Sequence, residues 1–198
     1  MKKNILTLCF LIGSCFIANA QKSAKASYSE FMGYRTGKGD ESKIKKITAL
    51  LEQKDQLSVK QVANLEFQLG RMYEDIKDPE NALLHYLESI KGEPNYTVIH
   101  RAMGFIYLDK TKPIIAEMNE AKAKNNAGAN AKAFEKYKVL VKKALPHFEK
   151  YQACETDEET QAMISNLYKS IKEPQAITTL PNRLKPLAQN CVTLLEDE

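Results

Sequence analysis

The side chains with the most chemistry in this 198-residue chain are three histidines (His85, His100 and His147) and four cysteines. Zinc-dependent hydrolysis would need two histidines four apart on a helix with a glutamate between them, and no two histidines here are so spaced. No Cys-x-x-Cys, Gly-x-Ser-x-Gly, phosphate-binding loop or Gly-x-Gly-x-x-Gly occurs. The acidic run Glu155-Thr156-Asp157-Glu158-Glu159 lacks the glycine and the spacing of a calcium loop. Placed at the start of a helix, those acids oppose the helix dipole, which is reason enough for them. The expectation is therefore a non-enzyme, with no metal and no cofactor. Cys9 and Cys15 lie in an apolar N-terminal stretch, which leaves Cys154 and Cys191 as an even pair. A disulfide between them would close a loop of about 36 residues and stabilise the fold by about 3 kcal/mol. Two buried free thiols are the other reading.

The first 20 residues read as a secretory signal. Lys2 and Lys3 form its charged start, Ile5 to Ala18 its apolar stretch, and Ala18-Asn19-Ala20 a cleavage site ending at Ala20/Gln21. This predicts export, to the periplasm or cell envelope. Ile12-Gly13-Ser14-Cys15 resembles a lipobox and leaves a lipid anchor on Cys15 as the alternative. Removing Lys2 and Lys3 takes the formal charge of +4 down by two. A nearly neutral chain of mixed charge argues against a nucleic-acid binder. No later stretch is apolar for long enough to span a membrane.

The elements that would position any site are helices. Residues 21–40 are polar, hold Gly33, Gly37 and Gly39, and read as a flexible leader with a short helix around Tyr28 to Tyr34. Helix periodicity begins at 41–55 through Ile44, Ile47, Leu50 and Leu51. Ser58 and Gln61 form a capping box for a helix reaching Ile76. Asp78-Pro79 starts the next, which Gly92-Glu93-Pro94 ends. Thr156 and Glu159 read as a second capping box, before a helix at 157–171. No run of alternating β-branched residues appears, so the fold class is all-α.

An internal echo organises these helices. LGRMYEDI at 69–76 recurs as MGFIYLDK at 103–110, which sets Gly70 to Gly104 and Tyr73 to Tyr107 each 34 residues apart. A small residue at Gly70 or Gly104 lets paired helices approach, and Ala82 does the same from the second helix. Tyr73 and Tyr86 fill the space between, and Pro94 stops the second helix. With Leu69, Gly70, Tyr73, Ala82, Tyr86 and Pro94 in its first copy, the sequence resembles the tetratricopeptide repeat, although Glu66 stands where that family carries a large aromatic. The resemblance implies a short α-solenoid over residues 41–198, with repeats at 63–96, 97–157 and, degenerate, 158–193. In the last, Ile164, Ser165 and Tyr168 stand for the Leu, Gly and Tyr. Pro181 and Pro186 should break a capping helix within 174–193.

The second copy is longer than the first. Tyr73 to Ala82 spans 9 residues but Tyr107 to Ala144 spans 37, so 28 residues are inserted, about 112–138, before Ala144 and Phe148 resume the pattern. Split between two helices, the insertion predicts a protruding arm with its turn at Asn125–Asn130. Phe134, Tyr137, Val141, Ala144, Phe148 and Tyr151 step as a heptad seam, which Ile114, Met118 and Ala121 could face. Pro113 should kink the outgoing helix or restart it after Thr111. An extended second repeat is also similar to exported tetratricopeptide proteins of the Bacteroidetes type, over about residues 58–172.

By periodicity, Asn64, Phe67, Arg71 and Glu74 lie off the packing face of one helix, and Val98, Arg101, Phe105 and Leu108 off that of another. The resemblance implies that these positions line a concave groove, suited to an extended acidic or apolar segment of a partner protein. The Lys and Asn of the family's carboxylate clamp are replaced by Phe67 and Phe105, so clamp function is not carried over. Those two rings either line the groove or pack on a neighbouring helix. The expected function is a non-catalytic adaptor of the bacterial cell envelope, acting through the groove or the arm, with self-association through the arm open. The alternative is a periplasmic carrier of a lipid or small apolar ligand, held between arm and solenoid.

Overall fold

The computed structural model describes residues 23–33, 35–193 and 195. The stretch expected to be a signal, with Cys15 and the Ala20–Gln21 junction, lies outside them. The chain is all-α: α1 (Ala24–Gly33), α2 (Glu41–Leu51), α3 (Val59–Asp75), α4 (Pro79–Gly92), α5 (Thr97–Asp109), α6 (Lys112–Ala123), α7 (Ala127–Cys154), α8 (Glu158–Ser170) and α9 (Ala176–Leu187). One parallel β-bridge, Tyr96 to Val192, is the only β contact among the described residues. No helix among them is long and apolar enough to cross a membrane.

Local chemistry sets most boundaries. The Ser58–Gln61 capping box forms in full, each side chain bonding the other's backbone N–H. Asp78 caps α4 ahead of Pro79. At α8 the cap is Asp157 rather than Thr156, because the Asp157 carboxylate accepts from the N–H groups of both Glu159 and Thr160. Pro113 is accommodated by a restart: α5 ends at Asp109, and α6 begins after Thr111 with the proline in its first turn, where no N–H is needed. The tip turn is tighter than expected, Lys124 to Asn126, with Asn126 capping α7.

Packing runs in pairs. α3 lies along α4, and α5 and α6 lie along successive stretches of α7. Both pairs close on a glycine. A Cβ on Gly70 would sit 2.5 Å from Cε1 of Tyr86, and one on Gly104 would sit 2.8 Å from Cζ of Phe148. Those rings are fully buried, as are Leu69, Ala82 and Ala144. Tyr73 and Tyr107 are half-buried.

Two expectations for the chain ends are corrected. The leader is not a flexible segment over its described part. α1 packs on α2 and α3 and buries Tyr28 and Phe31 to 2% and 1% exposure. The return strand is pinned where the Gly39 N–H donates to Oδ2 of Asp75 (2.6 Å), and its backbone passes so close to Met72 that no Cβ would fit. At the other end α9 is one continuous helix despite Pro181 and Pro186. Its anchor is ionic. Arg183 forks onto Glu149 of α7 (2.7 and 3.2 Å), and Tyr168 of α8 donates to the same carboxylate at 2.5 Å. Glu149 is buried, so this knot joins α7, α8 and α9 through a desolvated charge pair. Burial, followed by the Glu149 hydrogen bond, pushes Tyr168 up to about 12.

Cys154 and Cys191 form a disulfide with Cα atoms 5.7 Å apart. It ties the end of α7 to the segment after α9. Beside it, buried Lys150 donates to Oδ1 of Asn95 (2.9 Å) and to the carbonyls of Leu187 (2.8 Å) and Gln189 (3.3 Å). An ammonium at the C-terminal end of α9 meets unpaired carbonyls and the negative end of the helix dipole.

The heptad seam on α7 divides. Val141, Ala144 and Phe148 are buried in the core as expected. Further out, Phe134 and Tyr137 turn toward the end of α8: the Tyr137 hydroxyl bonds Ser170 (2.8 Å), and Lys172 lies over the Phe134 ring. The arm's own interface instead uses small residues, buried Ala121 and Ala133, with Asn130 Nδ2 donating to the Met118 carbonyl.

Candidate functional site

Of the eight expected groove residues, the structure brings three together. Arg71 and Glu74 on α3 and Phe105 on α5 border a groove of about 550 Å3, shared with Asp75, Ile106 and Asp109. Arg71 Nη1 donates to Oε1 of Gln68 (3.0 Å), and Glu74 accepts from the Tyr86 hydroxyl across the helix pair. Burial, with Glu74 next, raises the Tyr86 pKa, so this phenol stays a donor. Arg101 stands exposed on α5, its guanidinium 4.9 Å from the Phe105 ring and 5.6 Å from Tyr151. Phe105 meets Phe148 edge-on at 5.2 Å. Val98 is exposed, and Leu108 is half-buried against the core around Val141 and Phe148.

Two residues leave the predicted groove. Asn64 is 2% exposed, and its Nδ2 donates to the Tyr28 hydroxyl of α1 (3.1 Å). Phe67 is 6% exposed, packed edge-on against Tyr96 at 4.9 Å and tilted against Tyr86. Both are covered by parts of the chain that helix periodicity within α3 cannot see: the leader helix and the α4–α5 junction. Tyr96 and the covering residues Val192 and Leu195 were missed by sequence reasoning, although an apolar run following Cys191 was visible.

Two of the histidines stand on tyrosines in the two glycine-closed helix pairs. His85 on α4 stacks on Tyr73 at 5.2 Å, and its Nδ1 is 2.7 Å from Oε2 of Glu66. His147 on α7 stacks on Tyr107 at 5.8 Å, and its Nδ1 is 3.0 Å from Nδ1 of His100. Glu66 and His100 are themselves 34 residues apart. His100 Nε2 lies 2.9 Å from the Pro94 carbonyl, which needs an N–H there. Neutral His100 therefore accepts at Nδ1, and His147 donates. Burial, then the neighbouring His100, pushes His147 down to about 4, and burial lowers His100 too. Among the described residues no three His, Cys, Asp or Glu side chains converge as a metal site would require.

A second concavity lies where the arm meets α8. It holds about 1150 Å3, with Met118, Ala121, Phe134 and Ile171 among its apolar walls and Lys122, Lys132, Lys138 and Lys172 around it. Lys138 and Lys142 both pair with Glu173 at its edge, at 3.0 and 2.9 Å.

Comparison with known protein families, with curated proteins and with solved structures gives no match for this chain.

Proposed function

We propose that the chain is a non-catalytic binding module of the bacterial cell envelope, a short tetratricopeptide-like α-solenoid that holds a segment of a partner protein on the face of α3 and α5. The observation that carries this reading is the repeated pair geometry. Gly70 against Tyr86 and Tyr73 against His85 in the first pair have their counterparts in Gly104 against Phe148 and Tyr107 against His147 in the second. In this reading the two pairs bring α3 and α5 onto one face, and the groove bordered by Arg71, Glu74 and Phe105, with Arg101 beside it, is the open part of that face. The signal-like start of the sequence and the Cys154–Cys191 disulfide support an oxidising compartment.

The test is crosslinking and affinity capture from the native envelope fraction, wild type beside an Arg71→Glu, Arg101→Glu variant. A reproducible protein partner that the variant loses supports the groove. A partner that both forms retain moves the contact to the arm. The cleft under the arm favours one second reading, carriage of a lipid or small apolar ligand, because Met118, Ala121, Phe134 and Ile171 line it. Lipid recovered by mass spectrometry with no protein partner would select it.

A further inference from the structure

The covered part of the α3–α5 face is occupied by an extended segment of the chain itself. The Thr97 N–H donates to the Val192 carbonyl (2.9 Å), and the Val192 N–H donates to the Asn95 carbonyl (3.0 Å). Those two bonds make the parallel bridge at Tyr96, the way an added strand pairs with an exposed edge. Val192 and Leu195 pack against the cluster containing Phe67, Tyr96 and Ile99. The Cys154–Cys191 disulfide and the Lys150 bonds hold the residues just before.

The receiving side is built for a strand. Thr97 is the first residue of α5, so its N–H is one of those a helix leaves unpaired, and here the incoming segment satisfies it. The Thr97 hydroxyl is buried with no partner, so the position contributes its backbone and not its side chain. Beyond Val192 the sequence reads Thr-Leu-Leu-Glu-Asp-Glu, apolar then acidic. Arg35 and Arg71 are near enough to Tyr96 to bear on its hydroxyl. Val192 and Leu195, apolar and followed in the sequence by acidic residues, thus belong to a stretch with the chemistry expected of a ligand for this face.

We propose that Asn95–Thr97, with Phe67 and Tyr96 beneath, is a docking site for an extended apolar-then-acidic segment. Val192 and Leu195 are its resident occupants, and a partner segment of the same chemistry binds only by displacing them. The inference rests on reading the molecule as a binding module. It adds the mode of recognition, main-chain pairing, and a reason for the site to be closed at rest. A tethered occupant competes at an effective concentration in the millimolar range, so only a partner of high local concentration or tighter fit gains entry.

The experiment uses the full chain with its disulfide intact. Val192→Asp with Leu195→Asp removes the two apolar anchors and empties the site. The probe is a fluorescent peptide of residues 189–198, with Ser in place of Cys191, followed by anisotropy. Wild type should show no binding at micromolar protein, and the emptied variant should bind at least tenfold more tightly. Adding Thr97→Pro should weaken binding about tenfold, because it removes one docking N–H. Proline is tolerated at a first helical position, and Tyr96 already has the extended backbone (φ −71, ψ 104) that a following proline requires. Circular dichroism establishes that each variant keeps its helix.

Three results overturn the proposal: an emptied, helical variant that ignores the peptide, wild type that binds it equally, or indifference to Thr97→Pro. Failure here leaves the adaptor reading standing if the Arg71→Glu, Arg101→Glu variant still loses its partner. Peptide binding without any such partner would instead sink the adaptor reading alone.

Discussion

Glu66 with His85 and His100 with His147 occupy the same place in two successive helix pairs, each histidine stacked on a tyrosine. In the first pair the partner is an acid, with Oε2 of Glu66 2.7 Å from Nδ1 of His85. In the second it is another imidazole, half-buried, so a proton on either ring meets no compensating charge. The partner residue therefore changes from an acid to an imidazole while the stacking on tyrosine is kept. The packing beneath it is shared, since glycine meets an aromatic ring in both pairs. The two pairs share these contacts and differ in their charge.

The shared part is where the largest effects should lie. Gly70→Val and Gly104→Val would each force a side chain into a buried ring, with about 3 kcal/mol lost from chemical unfolding followed by circular dichroism. Gly70 should be the more sensitive, its would-be Cβ being nearer the ring. An unchanged midpoint for either would mean that the two pairs do not close alike. Next is the link that only the second pair has. Cys154→Ser with Cys191→Ser should cost about 3 kcal/mol or somewhat less, read in the same unfolding experiment, and should leave helix content intact.

A pH response is expected of the second pair. The folded-state pKa of His147 lies below its ordinary value of 6.5, at about 4. Between those values the unfolded chain binds the extra proton. Stability is thus complete above about pH 6.5 and falls as pH drops toward 4, by a total on the order of 3 kcal/mol. The lowered carboxyls of Asp78, Glu80, Asp157 and Glu173 act in a different window. Their contribution is present above the ordinary carboxyl range and lost only as pH falls below it. His100→Glu should convert the second pair to the first, raising His147 in an NMR titration and removing most of the loss between pH 6.5 and 4. A His147 titration that stays near 4 in that variant would show that burial alone sets it. The smallest effects belong to the arm. Lys124→Ala and Lys136→Ala break exposed pairs with Glu120 and Glu117 and should each change stability by less than about 0.5 kcal/mol, read in the same unfolding experiment.

What could be read in advance follows the range of the interactions. Ser58, Gln61, Asp78 and Pro79 act within one helix turn, so the starts of α3 and α4 were legible from neighbours alone. The glycine and tyrosine positions were legible because each contact occurs twice. Asp157 was passed over for Thr156 because both can cap, and only the backbone geometry decides between them. The leader was misread because its composition is polar. Its order comes from just a few side chains, Tyr28 and Phe31, meeting a surface made by α2 and α3. Phe67 left the expected groove for a related reason: its cover arrives with Tyr96 and with residues near the end of the sequence. Arg71, Glu74 and Phe105 border a groove whose lining comes from α3, α5, the turn after α3 and the first residue of α4, with no described residue from either chain end.

The bridge between Tyr96 and Val192 also orders events in time. The contacts inside the α3–α4 pair join residues close in sequence and can form quickly, as in other helical proteins. The bridge joins positions separated by most of the domain, and it has no partner until α9 has emerged and docked. A chain made or threaded from its first residue can therefore assemble α3 and α4 while the face beside Tyr96 is still bare. For that interval Phe67 and Tyr96 are exposed apolar surface, open to whatever meets the nascent molecule first. Closing by Val192 and Leu195 is then the last step of folding, and a disulfide quench during refolding should trap the Cys154–Cys191 bond only late in the reaction.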